Sequence, residues 1–210
     1  MSEPHPAIVY VVDDDRDLGA SIARMLRRSG YLAEPFSDPA ALLEAYAEAA
    51  AACVITDIMM GELDGFGFAE KLRAIDPAVA LVFMTAWPST SAAVDAVRRY
   101  GGLDYLEKPI DEPRMLAAVA EGVSWGQRRR EATQRIASLS SRERDVFGLL
   151  VKGFSSKAIA AELRISARTV EDHRAQIASK TGTSGLAQMI ALADQCASDQ
   201  ALPSYQTRPA

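Results

Sequence analysis

Apolar positions along the chain follow two different periods. In the first half, short runs of β-branched and aromatic residues near 8–12, 31–36, 52–57, 79–85 and 103–106 predict strands, since such residues fit a pleated surface covered on both faces. Between them, near 16–29, 38–49, 64–75, 89–99 and 111–124, apolar residues recur at helical spacing. Five alternating β and α units predict an α/β fold, a five-stranded doubly wound parallel sheet with helices on both faces. Gly30 and Gly101-Gly102 fall where helices should stop, and Asp38 before Pro39 reads as an N-cap followed by proline at the first helical position.

From Ser140 onward the strand period disappears. Four short helical patterns, near 141–151, 155–163, 167–180 and 184–195, are punctuated by Gly153, by "RIS" at 164–166 and by Gly182, which predicts a small all-α unit. The stretch "GVSWGQRRREATQRIASLS", 122–140, is rich in arginine and lacks proline. It reads as a helix prolonging the one before it, with Gly122 and Gly126 as weak points. The expected organisation is an α/β domain over 7–122, a helical linker over 123–138, an all-α domain over 139–197 and a disordered tail over 198–210. The first six residues are expected to be disordered as well.

Composition adds a division of charge. Residues 1–124 carry 20 acidic and 10 basic side chains, whereas residues 125–210 carry 8 acidic and 13 basic. Acidic character near strand ends suits a cation, and a small basic segment suits phosphate backbones. With 49% hydrophobic residues, the chain can bury proper cores. No apolar run approaches the length needed to span a membrane and the N-terminus does not resemble a signal peptide, so a cytoplasmic protein without membrane association is expected. Two cysteines, Cys53 and Cys196, and two histidines, His5 and His173, support neither a disulfide framework nor a zinc site.

Candidate chemistry lies at the carboxyl ends of the strands, where ligands bind in open α/β sheets. "VVDDD" follows the first strand, "VITDIMM" ends the third at Asp57, "VFMTA" ends the fourth at Thr85, and "YLEKP" ends the fifth at Lys108. Asp15 or Asp17 can also simply begin the following helix. A parallel sheet brings Asp13, Asp14 and Asp57 together as a carboxylate cluster, with Thr85 and Lys108 completing the ring. Oxygen ligands of this kind suit Mg²⁺ better than a transition metal. Asp57 is then a nucleophile toward a phosphoryl group, while Mg²⁺, Lys108 and Thr85 spread charge on the transferred oxygens.

As a set, these motifs resemble the receiver domain of two-component response regulators over residues 8–122. The resemblance implies a flavodoxin-like receiver in which Asp57 is phosphorylated and Asp14, Asp57 and the Met59 carbonyl hold Mg²⁺. It further implies that Asp13 supports the site and that Thr85 and Tyr105 form a switch pair. Where the family usually carries Met-Pro shortly after its acceptor aspartate, this chain has Met60-Gly61. Glycine frees backbone that proline would fix.

In "KAIAAELRISARTVEDHRAQIASKTG" an apolar helix, a brief turn and a second helix with Ser166 as N-cap give a helix-turn-helix layout. At about 100° per residue, Val170, His173 and Ile177 point inward. Arg168, Glu171, Asp172, Ala175 and Ser179 lie on the opposite face, where a major groove would meet them. Thr169, Arg174 and Lys180 flank that face within reach of phosphates. "LSSRERDVFGLL", "KAIAAELRIS" and "RTVEDHRAQIASKTG" resemble the LuxR-type DNA-binding domain of FixJ/NarL-class regulators over residues 139–195. Glu171 and Asp172 put negative charge where bases are read; they can accept from cytosine amino groups but repel phosphates.

The function expected is therefore a non-enzymatic, phosphorylation-controlled transcription regulator. Its expected partners are a sensor histidine kinase, double-stranded promoter DNA, a second copy of itself when phosphorylated, and RNA polymerase. Two rivals remain in view. A Mg²⁺-dependent phosphohydrolase would need a general acid two residues after Asp57, where Met59 cannot donate a proton. A phosphorylation-independent interaction module would be expected to have lost some of Asp14, Asp57, Thr85 and Lys108.

Overall fold

A computed structural model describes residues 6–61 and 63–196, so the expectations for the first five residues and for the tail lie outside the described residues. The chain divides into two compact units, Met1–Gln127 and Arg128–Ala210.

The first unit holds five strands, β1 (Ile8–Val12), β2 (Leu32–Phe36), β3 (Cys53–Asp57), β4 (Ala80–Thr85) and β5 (Asp104–Glu107). They alternate with α1 (Arg16–Arg28), α2 (Pro39–Glu48), α3 (Gly65–Ile75) and α4 (Thr90–Arg98), and are followed by α5 (Glu112–Ala137), which starts in this unit and from Arg128 onward belongs to the second. All pairings are parallel, in the order β2-β1-β3-β4-β5. The strands alternate their side chains between two cores. Val9, Val11, Ile55, Val82 and Met84 face Ile22 and Leu26 of α1 and Met115 and Val119 of α5, while Tyr10, Val12, Val54, Leu81 and Phe83 face Leu42 of α2 and Phe68 and Leu72 of α3. The inner strands β1, β3 and β4, buried on both faces, read as continuous apolar runs, whereas the edge strands β2 and β5 are only partly buried and carry Glu34 and Asp104.

Local chemistry sets the helix starts. Asp15 caps α1, its side chain accepting from the Asp17 and Leu18 amides, so this aspartate does begin a helix. Asp38 caps α2 with Pro39 in the first turn. Gly122 and Gly126 do not break α5, which is one helix of 26 residues. Gly122 is a contact point instead: a Cβ there would stand 3.0 Å from Cys53 Sγ and 3.3 Å from Ala80 Cβ, so a larger residue would need those side chains to give by a few tenths of an ångström.

The second unit contains α6 (Ser141–Val151), α7 (Ser156–Leu163), α8 (Ala167–Thr181) and α9 (Leu186–Cys196). Val146, Phe147, Leu150, Ile159, Val170, Ile177, Met189 and Leu192 form its core. Ser140 and Glu143 make a capping box at the start of α6. Among the described residues, no helix is long and apolar enough to cross a membrane.

Candidate functional site

Sheet register alone brings the acidic residues together. Val12 of β1 pairs with Thr56 of β3, so the next residues, Asp13 and Asp57, leave neighbouring strand ends side by side. Asp57 in turn pairs with Met84 of β4, which puts Thr85 one residue beyond, and Thr85 pairs with Glu107 of β5, one residue before Lys108. The side chains then converge. Lys108 Nζ donates to Asp13 Oδ2 at 2.7 Å and to Asp57 Oδ2 at 2.6 Å. The remaining oxygens accept from backbone: Asp13 Oδ1 from the Asp15 amide at 2.9 Å, Asp57 Oδ1 from the Met59 amide at 3.2 Å.

Asp13 is fully buried and Asp57 nearly so, whereas Asp14 is exposed at the rim. Burial raises the Asp13 carboxyl above its ordinary range, against the opposing pull of the Lys108 and Asp15 hydrogen bonds. For Lys108, burial alone would favour the neutral amine; its hydrogen bonds to Asp13 and Asp57 outweigh that and hold the ammonium above its ordinary pKa. Asp13, Asp14 and Asp57 each offer a carboxylate oxygen, all within 4.8 Å of one another. Three carboxylates with only hard oxygen donors fit a divalent cation such as Mg²⁺.

Thr85 is buried, and its hydroxyl accepts from the Trp87 amide at 3.1 Å. Tyr105 is half-buried beside the α4 side of the sheet, and its hydroxyl accepts from the Ser89 amide at 3.3 Å. Around the pocket mouth, Met59 is 59% and Trp87 76% exposed, so neither packs into the core. Gly65 is a residue the sequence reading passed over. A Cβ there would lie 2.1 Å from the Asp57 carbonyl oxygen and 2.9 Å from Ile58 Cα, so glycine is what lets α3 start directly against the acceptor strand. The signal available was the Asp64-Gly65 pair, with Asp64 the α3 N-cap.

In the second unit, α7 ends at Arg164 in the left-handed region (φ 53°) and Ser166 caps α8, accepting from the Thr169 amide at 3.0 Å. Val170 and Ile177 are buried and His173 half-buried, as the helical wheel requires. Arg168, Glu171, Asp172, Ala175 and Ser179 are exposed on the opposite side. Thr169 is half-buried and its hydroxyl is hydrogen-bonded with that of Ser166 at 2.8 Å. Arg174 donates to Ser156 Oγ at 2.9 Å.

Lys180 makes a contact that helical spacing did not announce. Its ammonium donates to both oxygens of Glu143, at 2.9 and 2.7 Å, and Glu143 is buried. The side chain joins α8 to α6 while 38% of it stays exposed. The reason is the burial of Glu143, whose carboxylate would be costly without a cation.

Comparison with known proteins agrees with both halves. Residues 9–120 match the family model for the response regulator receiver domain, and residues 137–193 match that for bacterial regulatory proteins of the luxR family. The transcriptional regulatory protein FixJ of Azorhizobium caulinodans is 35% identical over 197 residues, covering 90% of this chain and 93% of the relative. The tetrathionate response regulatory protein TtrR of Salmonella typhimurium is 31% identical, covering 92% and 95%. Among solved structures, full-length FixJ from B. japonicum aligns with a TM-score of 0.54 at 31% identity, covering 90% of this chain and 97% of that one.

Proposed function

We propose a phosphorylation cycle for this chain, which belongs to the two-component response regulators of the FixJ/NarL class and is a DNA-binding regulator of transcription. Phosphoacceptance is assigned to residues 7–122, DNA binding to 139–197, and the connection to 123–138. The cycle runs in the cytoplasm, between a sensor histidine kinase and promoter DNA.

Asp57 is the acceptor. One of its carboxylate oxygens attacks the phosphorus of a phosphohistidine on the kinase, the P–N bond breaks, and the leaving imidazole takes a proton. Lys108, already hydrogen-bonded to Asp57 Oδ2, stays beside the new phosphoryl group and balances its charge. Asp14, Asp57 and the Met59 carbonyl would hold Mg²⁺, and Asp13 orients the site through Lys108. When bound, Mg²⁺ supplies charge neutralisation on the transferred oxygens. The Thr85 hydroxyl turns from the Trp87 amide toward the phosphoryl oxygens, and Tyr105 leaves its contact with Ser89 to turn inward behind it. The resulting change on the α4–β5–α5 face favours a dimer, in which two weak half-site contacts act together through effective concentration. Arg168, Thr169, Glu171, Asp172 and Arg174 present the DNA-facing surface, with the partly exposed Lys180 at its flank, and RNA polymerase is the downstream partner.

The observation that best supports this reading is the placement of one ammonium between two strand-end carboxylates, beside a third, with a buried hydroxyl on the adjoining strand. The test is labelling by acetyl phosphate with Mg²⁺. Asp57→Asn is expected to abolish labelling, because an amide is not a nucleophile, and to remove any phosphorylation-dependent gain in DNA affinity. Stoichiometric labelling of the variant would overturn the assignment.

A further inference from the structure

Glu171 is an exposed carboxylate on the helix face expected to enter DNA, where the phosphates repel it. An ordinary surface glutamate would swing away. This one is held: its Oε1 accepts from Ser156 Oγ at 2.6 Å, and Arg174 Nη1 lies 3.6 Å from the same oxygen while donating to Ser156 Oγ at 2.9 Å. Ser156 is the first residue of α7, so the carboxylate also sits by the positive end of that helix dipole. A hydroxyl, a guanidinium and a helix terminus therefore fix one oxygen and offset the charge, leaving Oε2 for another donor.

We propose that Glu171 selects a cytosine in the major groove, with Ser156 and Arg174 as positioning residues. The inference deepens the recognition role assigned to α8 and rests on it. An ionised carboxylate only accepts hydrogen bonds. In the major groove guanine offers N7 and O6, and thymine O4, all acceptors that repel it. Adenine offers one donor beside the N7 acceptor, whereas cytosine presents its N4 amino group alone. Cytosine is thus the base an oriented glutamate prefers. Because the side chain is pre-positioned, little rotamer entropy is lost on contact.

The experiment uses the full chain, phosphorylated with acetyl phosphate, to select bound duplexes from a random pool, followed by competition between duplexes differing at single positions. The parent is expected to fix a cytosine at one position of each half-site. Glu171→Gln is expected to lose about tenfold of that preference and to move toward adenine, since a glutamine amide pairs with N6 and N7. Ser156→Ala is expected to keep cytosine but discriminate several-fold less, with an unchanged salt dependence of overall affinity. An unchanged base preference for Glu171→Gln, or an equal rise in its affinity for every sequence, would overturn the inference while leaving α8 as the recognition helix. A parent chain that selects no sequence would overturn the recognition-helix reading itself.

Discussion

The two candidate surfaces of this protein use charge in opposite ways. In the acidic pocket the reacting groups are buried at strand ends, and their spacing follows from backbone register: Asp13, Asp57, Thr85 and Lys108 each come one residue after or at the end of a paired strand position. On α8 the charged groups are exposed, and no sheet fixes them; what order they have comes from side chains of a neighbouring helix, such as Ser156 with Glu171 and Arg174. Buried charge in a low-dielectric pocket gives strong, short-range chemistry with few degrees of freedom. Exposed charge gives long-range attraction that salt can screen. A receiver that must perform one reaction needs the first, and a surface that must scan many sequences needs the second.

The comparison breaks most severely if the backbone of the pocket is displaced. Gly65→Ala puts a methyl carbon 2.1 Å from the Asp57 carbonyl, a contact that only movement of α3 or β3 can relieve. The expected cost is about 3 kcal/mol or more in denaturant unfolding, because overpacking against backbone has no flexible side chain to absorb it. Labelling of the folded fraction by acetyl phosphate should slow as well, since Asp57 itself is shifted. A variant with parental stability and labelling rate would mean that this approach does not set the pocket.

On the exposed side a single substitution should be felt in binding and not in folding. Arg168→Ala is expected to cost about 1–3 kcal/mol of affinity for the selected site, measured by titration at fixed salt, with a much smaller loss on random DNA. The parent's affinity should fall steeply as salt rises, whereas acetyl phosphate labelling should not follow that slope. Equal loss on selected and random DNA would make Arg168 a phosphate contact rather than a base reader.

How much of this was legible in the sequence follows the same division. The inner strands β1, β3 and β4, the parallel sheet and the four pocket residues could be read because burial on both faces leaves unbroken apolar runs and because strand ends put chemistry at predictable points. The helix-turn-helix layout was legible from its cap Ser166 and its inward positions Val170 and Ile177, whereas Ser155, placed inside the preceding helix by spacing alone, is that helix's cap. What escaped were contacts between residues far apart in sequence. Nothing near Lys180 announces Glu143, 37 positions away, and helical spacing alone left the lysine pointing to solvent. Gly122, read as a weak point, is where α5 touches Cys53 and Ala80. The Cys53 thiol is fully buried there, which pushes its pKa up to about 12 and makes it packing rather than chemistry.

The Glu143–Lys180 pair sharpens the contrast, because it is a buried charge in the half that otherwise works through exposed ones. Two hydrogen bonds from Lys180, then the Ser140 amide, pull the Glu143 carboxyl from 4.5 down to about 2. A depressed carboxyl pKa stabilises the folded state fully above the ordinary value, and that contribution is lost as pH falls through the folded one. Protection of the α6 and α8 amides from hydrogen exchange should therefore decline between about pH 4.5 and pH 2, the bounds set by this shift. Glu143→Gln should be less protected than the parent at neutral pH and should converge with it near the acid end. A difference that stays constant across the range would assign the effect to packing instead of charge.

The smallest expected effect concerns how long the pocket keeps its phosphoryl group. Hydrolysis of an aspartyl phosphate needs a water in line with the phosphorus, so groups over the pocket mouth slow the reaction by excluding that water. Two bulky side chains lie there with little else to hold them: Met59, two residues after Asp57 and 59% exposed, and Trp87, two after Thr85 and 76% exposed. Trp87 is anchored through its backbone, its amide donating to the Thr85 hydroxyl at 3.1 Å. In the proposed switch, a Thr85 turned toward the phosphoryl group would give up that hydrogen bond and release the indole at the moment shielding begins to matter. Ala86, between Thr85 and Trp87, is small and leaves room for the phosphoryl group itself. Met59→Asn combined with Trp87→Ser is expected to lose phosphate several-fold faster after donor removal, at unchanged fold and Mg²⁺ affinity. Because both residues are exposed, their replacement should leave stability within about 0.5 kcal/mol of the parent, so a change in decay would report on water access alone. Equal decay of variant and parent would sink the shielding idea and leave Trp87 as a rigid loop residue before Pro88.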